Sequence, residues 1–310
     1  MEHVSVMLNQ CIELLNIKAD GIYVDGTLGR AGHSSSILSH LSDKGHLYCF
    51  DIDDEAIQQS NEKLKKISDN FTIINDNFAN MKQALKEYGV SKVDGILLDI
   101  GVSSPQFDDP KRGFSYRFDT RLDMRMNQNQ SLNAHYIVNN YQFKDLVRIF
   151  RDYGQEKYAV SIARNIEKAR MVSPIDTTGQ LVEIIKKSMP AKDLAKQGHP
   201  AKQTFQALRI EVNNELNNLS KAVEDGLELL NHQGRFAILT FHSLEDEIVK
   251  KAFKKAASPV EIDKHIPLKQ SEIPQSEYVL VNKKVITASQ EELNENRRSH
   301  SSKLRVIERR

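Results

Sequence analysis

A strand-and-helix rhythm that starts cleanly and then breaks off constrains this chain more than any other feature. Four short apolar runs read as buried strands: Gly21–Asp25 (GIYVD), His46–Asp51 (HLYCFD), Phe71–Asn75 (FTIIN) and Val93–Asp99 (VDGILLD). Between them, Ser34–Leu41, Asp54–Ile67 and Met81–Tyr88 carry apolar residues at helical spacing. Such alternation predicts an α/β fold, a parallel sheet with crossover helices, whose ligands gather at the carboxyl ends of the strands. The next convincing strand, Arg235–Thr240 (RFAILT), comes only some 130 residues later, behind a helical pattern over Val212–Leu230 with Gly234 as its stop signal. Residues 106–209 therefore read as a mostly helical inserted domain, and 1–105 with 210–310 as the core. Helices are expected in the insertion over Phe143–Tyr153, Lys157–Lys168 and Thr178–Lys187. Beyond Thr240, Ser243-Leu244-Glu245-Asp246 opens a helix with a capping-box pattern. Ser258–Ser276 reads as a polar loop, and Val279–Thr287 with Lys303–Glu308 as an antiparallel pair closing the sheet.

Charge follows the same division. Residues 1–110 carry 9 Lys+Arg against 17 Asp+Glu, residues 111–210 carry 18 against 9, and residues 211–310 carry 16 of each. The balances of −8, +9 and 0 give the formal net charge of +1. A basic block that nearly coincides with the insertion suggests a polyanionic partner for that part of the molecule, against the plainer reading of a lysine-rich surface. The apolar runs are too short to span a bilayer, and the N-terminus lacks a signal-peptide pattern. Two cysteines, Cys11 and Cys49, can build neither a disulfide framework nor a metal cage. A cytoplasmic protein with no membrane partner is expected. No metal site is expected either, because His33, His40 and His46 lack ligand spacing on one face.

The loop Asp25-Gly26-Thr27-Leu28-Gly29-Arg30-Ala31-Gly32-His33 follows the first strand and opens the first sheet-crossing helix. Its glycines are spaced G-x-x-G-x-x-G rather than in the dinucleotide pattern G-x-G-x-x-G, and tight strand–helix packing alone could demand them. Asp51 ends the second strand, where an acid can accept the ribose hydroxyls of an adenosine. A dehydrogenase and an S-adenosylmethionine enzyme both want that acid. The glycine spacing and the antiparallel C-terminal strands favour the methyl donor. Asp53 and Asp54 read as helix N-terminal acids. Phe78 follows the third strand, as an adenine contact or a plain core aromatic. Asp99 ends the fourth strand and precedes a hydroxyl-rich loop with Ser103, Ser104 and Gln106. Its alternative role is a buried turn cap. His242, after the fifth strand, can contact a base or cap the next helix.

The stretches DGTLGRAGHS, ILLDIGVSSPQ, RGFSYRFDTRLDMRM (Arg112–Met126), HPAKQTFQALRIEVNNEL (His199–Leu216) and FHSLEDEIVK (Phe241–Lys250) resemble the RsmH/MraW family, nearly end to end from His3 to the SSKLRVIER tail. That family methylates the exocyclic amino nitrogen (N4) of a cytosine in the decoding region of 16S ribosomal RNA. The resemblance implies a class I, Rossmann-like S-adenosylmethionine-dependent methyltransferase core with an inserted helical substrate-recognition domain. It places the donor site on Ala31, Gly32, His33, Asp51, Phe78, Asp99 and Gln106. The implied partner is 16S rRNA within the small subunit or a late precursor, and a homodimer is left open. Ala31 departs from the family's usual glycine, Thr120-Arg121 from Gly-Pro, and Lys202-Gln203 from Thr-Arg.

Two chemistries on cytosine can be separated by residue type. Methylation of carbon 5 needs a thiolate that adds to the ring. Cys49 falls inside a strand and Cys11 in an amphipathic N-terminal segment, so that chemistry is not expected. Methylation of the amino nitrogen needs alignment and an acceptor for the amino proton, for which Asp99, Ser103 and Ser104 are the candidates, with His242 as a further base contact. Lys111, Arg112, Arg117, Arg121 and Arg125, interleaved with Phe114, Tyr116 and Phe118, suit phosphate contact and base stacking, while Asp119 and Asp123 offer internal salt bridges. The competing readings are a small-molecule or protein methyltransferase whose basic insertion serves dimerisation, and a non-catalytic RNA-binding factor that holds the donor structurally.

Overall fold

In the computed structural model, described over residues 5–195, 198–259 and 275–310, the chain forms two compact units, 1–101 with 216–310 and 102–215. In unit 1, helix α1 (Leu8–Leu15) precedes β1 (Ile22–Asp25), α2 (Gly32–Ser39), β2 (His46–Asp51), α3 (Asp54–Leu64), β3 (Phe71–Asn75), α4 (Met81–Glu87) and β4 (Val93–Asp99). Unit 2 holds α5 (Ser104–Asp108), α6 (Ala134–Asn140), α7 (Phe143–Asp152), α8 (Ala159–Arg170), α9 (Thr178–Lys187), α10 (Ala191–Leu194) and α11 (Lys202–Asn213). The chain then continues through α12 (Glu215–Leu229), β5 (Leu230–Thr240), α13 (Ser243–Ala256), β6 (Tyr278–Leu280), α14 (Gln290–Glu295) and β7 (Lys303–Arg309).

The sheet order is β3-β2-β1-β4-β5-β7-β6. The first five strands are parallel and β7 runs antiparallel between β5 and β6. The order reverses at β1, so the tips of β1, β2 and β4 sit side by side, where an open α/β sheet leaves its crevice. Runs such as Ile96-Leu97-Leu98 are buried because both sheet faces are covered. Val24, Ile96, Leu98, Phe236 and Ile238 pack with Leu219, Val223, Val249 and Phe253 on one face. Leu47, Cys49, Leu97, Ala237 and Leu239 pack with Cys11, Leu15, Ile37 and Leu38 on the other. Unit 2 has its own core, built on Leu122, Met124, Ile137, Leu146, Ile149, Phe150, Ile162, Ile166, Leu181, Ile185 and Leu208.

Some boundaries differ from the sequence reading. The pattern over Val212–Leu230 is not one helix, because Asn214 takes a left-handed conformation (φ 51°) that ends α11 and α12 starts afresh. Strand β5 begins at Leu230, five residues early, with a register irregularity against β4 between Val93 and Gly95. The strand expected over Val279–Thr287 shortens to Tyr278–Leu280, plus an isolated bridge from Ile286 to Leu304. Asn282 turns the chain away, its side chain bonding the Lys284 and Leu304 carbonyls and the Val306 amide. His3 and most of the Ser258–Ser276 loop lie outside the described residues.

Candidate functional site

The loop after β1 is fixed by backbone bonds across the sheet. The Gly26 amide donates to the Leu97 carbonyl of β4 (2.9 Å) and the Leu28 amide to the Phe50 carbonyl of β2 (2.9 Å). Asp25 is buried and accepts from the Thr27 amide (3.0 Å) and from the Ser34 hydroxyl (2.5 Å). The Thr27 hydroxyl accepts from the Asp99 amide (2.7 Å), tying the loop to the end of β4. Gly26 must lack a side chain: a methyl group there would stand 2.2 Å from Leu98 Cδ2. Ala31 is left-handed (φ 54°, ψ 33°) and wholly buried, a conformation that costs a non-glycine residue about 1–2 kcal/mol. The methyl group that the sequence substitutes for a glycine hydrogen is thus accommodated at a strained position. Gly32 begins α2 against Ser5, and His33 Nε2 donates to the Val6 carbonyl (3.0 Å). The segment Ser5–Met7 was invisible to periodicity, because three irregular residues before a helix carry no pattern.

Asp51 ends β2 half-buried. One carboxylate oxygen accepts from the Gly29 amide (2.8 Å), the other from the Ile52 and Asp53 amides (2.8 and 3.0 Å). Desolvation outweighs those bonds and raises its pKa to about 6. Asp53 caps α3 through the Glu55 amide, as its position in the sequence suggested. Phe78 opens a 3₁₀ turn capped by Asn77 and remains half-exposed, with its Cβ 3.0 Å from where a Gly26 methyl would stand.

Asp99 ends β4. Its side chain keeps about a quarter of its surface in contact with solvent, and among the described residues no N–H or O–H donates to its carboxylate. A turn cap is therefore not its role. Burial of its surroundings raises its pKa to about 6, with His33 opposing and Asp25 and Glu245 adding to the rise. His33 Nδ1 lies 3.7 Å from Asp99 Oδ2. Because Nε2 of the same ring carries the proton given to Val6, Nδ1 is the nitrogen turned toward the carboxylate.

His242 takes the structural alternative. It caps α13, its Nδ1 accepting from the Glu245 amide (3.4 Å) while Glu245 Oε2 accepts from the Phe241 and His242 amides (2.8 and 3.2 Å). The cap is His242 rather than Ser243, and it uses Nδ1 alone, with Nε2 lying 2.9 Å from Glu245 Oε1. Both thiols are fully buried and raised well above the usual cysteine value by desolvation, so neither supplies a thiolate.

In unit 2, the Ser103 amide donates to Gln106 Oε1 (3.2 Å), closing the turn into α5 with Gln106 buried. The side chain of Ser104 lies outside the described residues. The stretch Arg112–Met126 divides sharply. Arg112 Nη2 donates to the Arg125 and Met126 carbonyls. Arg125 forms a two-pronged pair with Asp123 (2.9 and 2.8 Å) and also bonds the Gln128 and Gln130 carbonyls. Those two arginines hold the loop and are not free for phosphate. Asp119 accepts from the Gly179 amide at the start of α9. Phe114 is buried, and Tyr116 stacks on His199 (4.0 Å, 10°). Lys111, Arg117, Phe118 and Arg121 remain exposed.

A family model described as the MraW methylase family matches residues 1–310. Ribosomal RNA small subunit methyltransferase H of Streptococcus equi subsp. equi is 52% identical over 307 residues, covering 98% of this chain and 96% of the relative. A solved structure of a rRNA methylase from Streptococcus thermophilus aligns over 97% of this chain and 93% of its own, at 12% identity and a TM-score of 0.41.

Proposed function

This chain belongs to the MraW methylase family, and from that premise we propose that it transfers a methyl group from S-adenosylmethionine to the exocyclic amino nitrogen of a cytidine in small-subunit ribosomal RNA. The observation that carries the proposal is Asp99: a strand-tip carboxylate with a raised pKa and no hydrogen-bond donor among the described residues, beside a glycine-rich loop pinned across β1, β2 and β4. A carboxylate left so is a fitting partner for a cationic amine or an amino N–H.

S-adenosylmethionine, when bound, supplies an electrophilic methyl group on a sulfonium. Asp51 is suited to accept ribose hydroxyls, having lone pairs beyond its three backbone donors. The half-exposed Phe78 offers an apolar face to adenine. Ala31, Gly32 and His33 offer backbone at the start of α2, and Asp99 serves the amino-acid end of the donor, the cytosine amino group, or both through its two oxygens. Gln106, in unit 2, is assigned to the donor by family likeness, and the Ser103 and Ser104 hydroxyls are further candidates to accept the amino proton. Nothing in this scheme forms a bond to the ring, consistent with the absence of a competent thiolate. Alignment in such a site can supply on the order of 7–11 kcal/mol of the barrier. Unit 2 is the substrate-recognition domain, with Lys111, Arg117 and Arg121 for phosphate and Phe118 for stacking. The acceptor is presented in the small subunit or a late precursor, its target base unstacked.

Incubating the purified protein with methyl-labelled donor, small-subunit particles and a cell extract tests this directly. Label in ribosomal RNA supports the proposal. Label in protein or small molecules supports the competing methyltransferase readings, and label nowhere supports a binding factor.

A further inference from the structure

Unit 1 carries a second concavity that methyl transfer does not use. It is a cavity of about 110 Å³, and its lining includes Phe253 and the cations Lys250, Lys254, Lys283 and Arg305, with no carboxylate among the described residues. The sequence builds it from two periodicities. On α13, Val249 and Phe253 enter the core, which leaves Lys250 and Lys254, one turn apart, side by side at its border. On β7, Leu304 and Val306 face one core cluster, so Arg305 points to the face that α13 covers.

Among the described residues, the acids nearby are already engaged. Asp246 accepts from Arg305 Nε (2.7 Å) and Lys303 Nζ (3.1 Å), so one carboxylate is shared by two cations and the trio keeps a net positive charge. Glu247 pairs with Lys251 (2.9 Å). Among the described residues, no carboxylate lies within ion-pair distance of Lys250, Lys254 or Lys283. The larger cavity of about 590 Å³ in unit 2 differs, since Arg117 and Lys187 there are balanced by Asp119 and Glu183. Three lysines converging with Arg305, and without a carboxylate partner of their own among the described residues, favour an anion, and the smaller volume suits a single phosphate group.

We propose that this cavity binds one backbone phosphate of the ribosomal RNA substrate, so that the methyltransferase unit itself grips RNA. This rests on the RNA-methylation reading above. Position supports RNA over free phosphate: Arg305 pairs with Ile238, two residues from the Thr240 tip of β5. It also lies two strands from β4, about 10 Å at the usual strand spacing, a span of a few nucleotides from the methyl-transfer edge.

The test is the full-length triple variant Lys250→Ala, Lys254→Ala, Lys283→Ala, compared with Lys251→Ala, Lys255→Ala, which removes exposed charge outside the cavity. Affinity for small-subunit RNA is measured across a salt series, together with donor affinity and the rate at saturating RNA. The triple variant is expected to bind RNA about tenfold more weakly, with a log–log salt slope shallower by about 0.7–0.9, and unchanged donor affinity and saturated rate. Inorganic phosphate should compete with RNA in the wild type and lose that effect in the triple variant. Unchanged RNA affinity and slope overturn the proposal, as does a loss no larger than in the control variant or a cavity that takes inorganic phosphate alone. A wild type that methylates no RNA would instead fail the functional reading and remove RNA as the source of the phosphate.

Discussion

Protonation of the two strand-tip acids should govern donor affinity in a way that can be worked out in advance. Asp51 and Asp99 both titrate near about 6, where ordinary carboxylates titrate near 4. A ligand that needs both ionised loses affinity as either takes a proton. With pKa values of about 6, each acid weakens apparent binding about twofold at pH 6 and about elevenfold at pH 5, so together they cost roughly a hundredfold between pH 7 and pH 5. Binding at pH 6 should release about one proton, half from each acid. Asp99→Asn keeps the shape and deletes one titration. Its affinity at pH 7 should fall about tenfold or more, the equivalent of one charge-assisted hydrogen bond, and its remaining loss from pH 7 to pH 5 should be only about tenfold. Isothermal titration with S-adenosylmethionine from pH 5 to 7, in two buffers of different ionisation enthalpy, reads both the affinity and the proton. A wild-type affinity that is flat over this range, or an Asn variant with the wild-type profile, would refute the assignment.

The same acids have the opposite consequence for the donor-free fold. Their folded pKa values exceed the unfolded ones, so the native state binds the extra protons between about pH 4 and 6 and stability falls as pH rises through that window. Burial holds the His46 and His199 imidazoles below their ordinary value and works in the opposite direction, so the acids are read by difference. Relative to wild type, donor-free Asp99→Asn should gain Tm at pH 7 compared with pH 5.5, and donor should cancel that gain. Arg125→Ala should destabilise unit 2 by about 3 kcal/mol, since it breaks a largely buried pair with Asp123, whereas Arg117→Ala with Arg121→Ala should leave melting within about 0.5 kcal/mol and lower the RNA salt slope by about 1.4–1.8. Ala31→Gly should relieve about 1–2 kcal/mol of left-handed strain and lose about 0.8 kcal/mol of methyl burial, for a net stabilisation of about 1 kcal/mol at most, read from chemical denaturation.

The strands β2 and β4 were legible residue by residue, because a strand covered on both faces is a continuous apolar run with a polar stop at its tip, and the half-buried edge strand β3 shared that apolar run and stop. That stop is also where an open α/β sheet gathers its ligands, which is why Asp51 and Asp99 stand out in the sequence. What stayed hidden was decided by single residues or by distant partners. Leu230 continues the apolar spacing of α12 yet is the first residue of β5, and only pairing with Val93 reveals it. Asn214 breaks a pattern whose apolar positions never falter. Arg112 and Arg125 read as free cations because carbonyl partners leave no trace in composition. Lys250, Lys254 and Lys283 were lost in a segment of zero net charge, since neighbours in sequence cancel what the fold separates.

Mass spectrometry of nucleosides from small-subunit RNA tests the central claim most directly. Particles from cells lacking this protein are incubated with the purified enzyme and S-adenosylmethionine, then digested and compared with untreated particles. The account predicts a single new N4-methylated cytidine, produced by the wild type and strongly reduced with Asp99→Ala. A methyl group on carbon 5, a methylated base other than cytosine, or wild-type yield from the Asp99→Ala variant would contradict it.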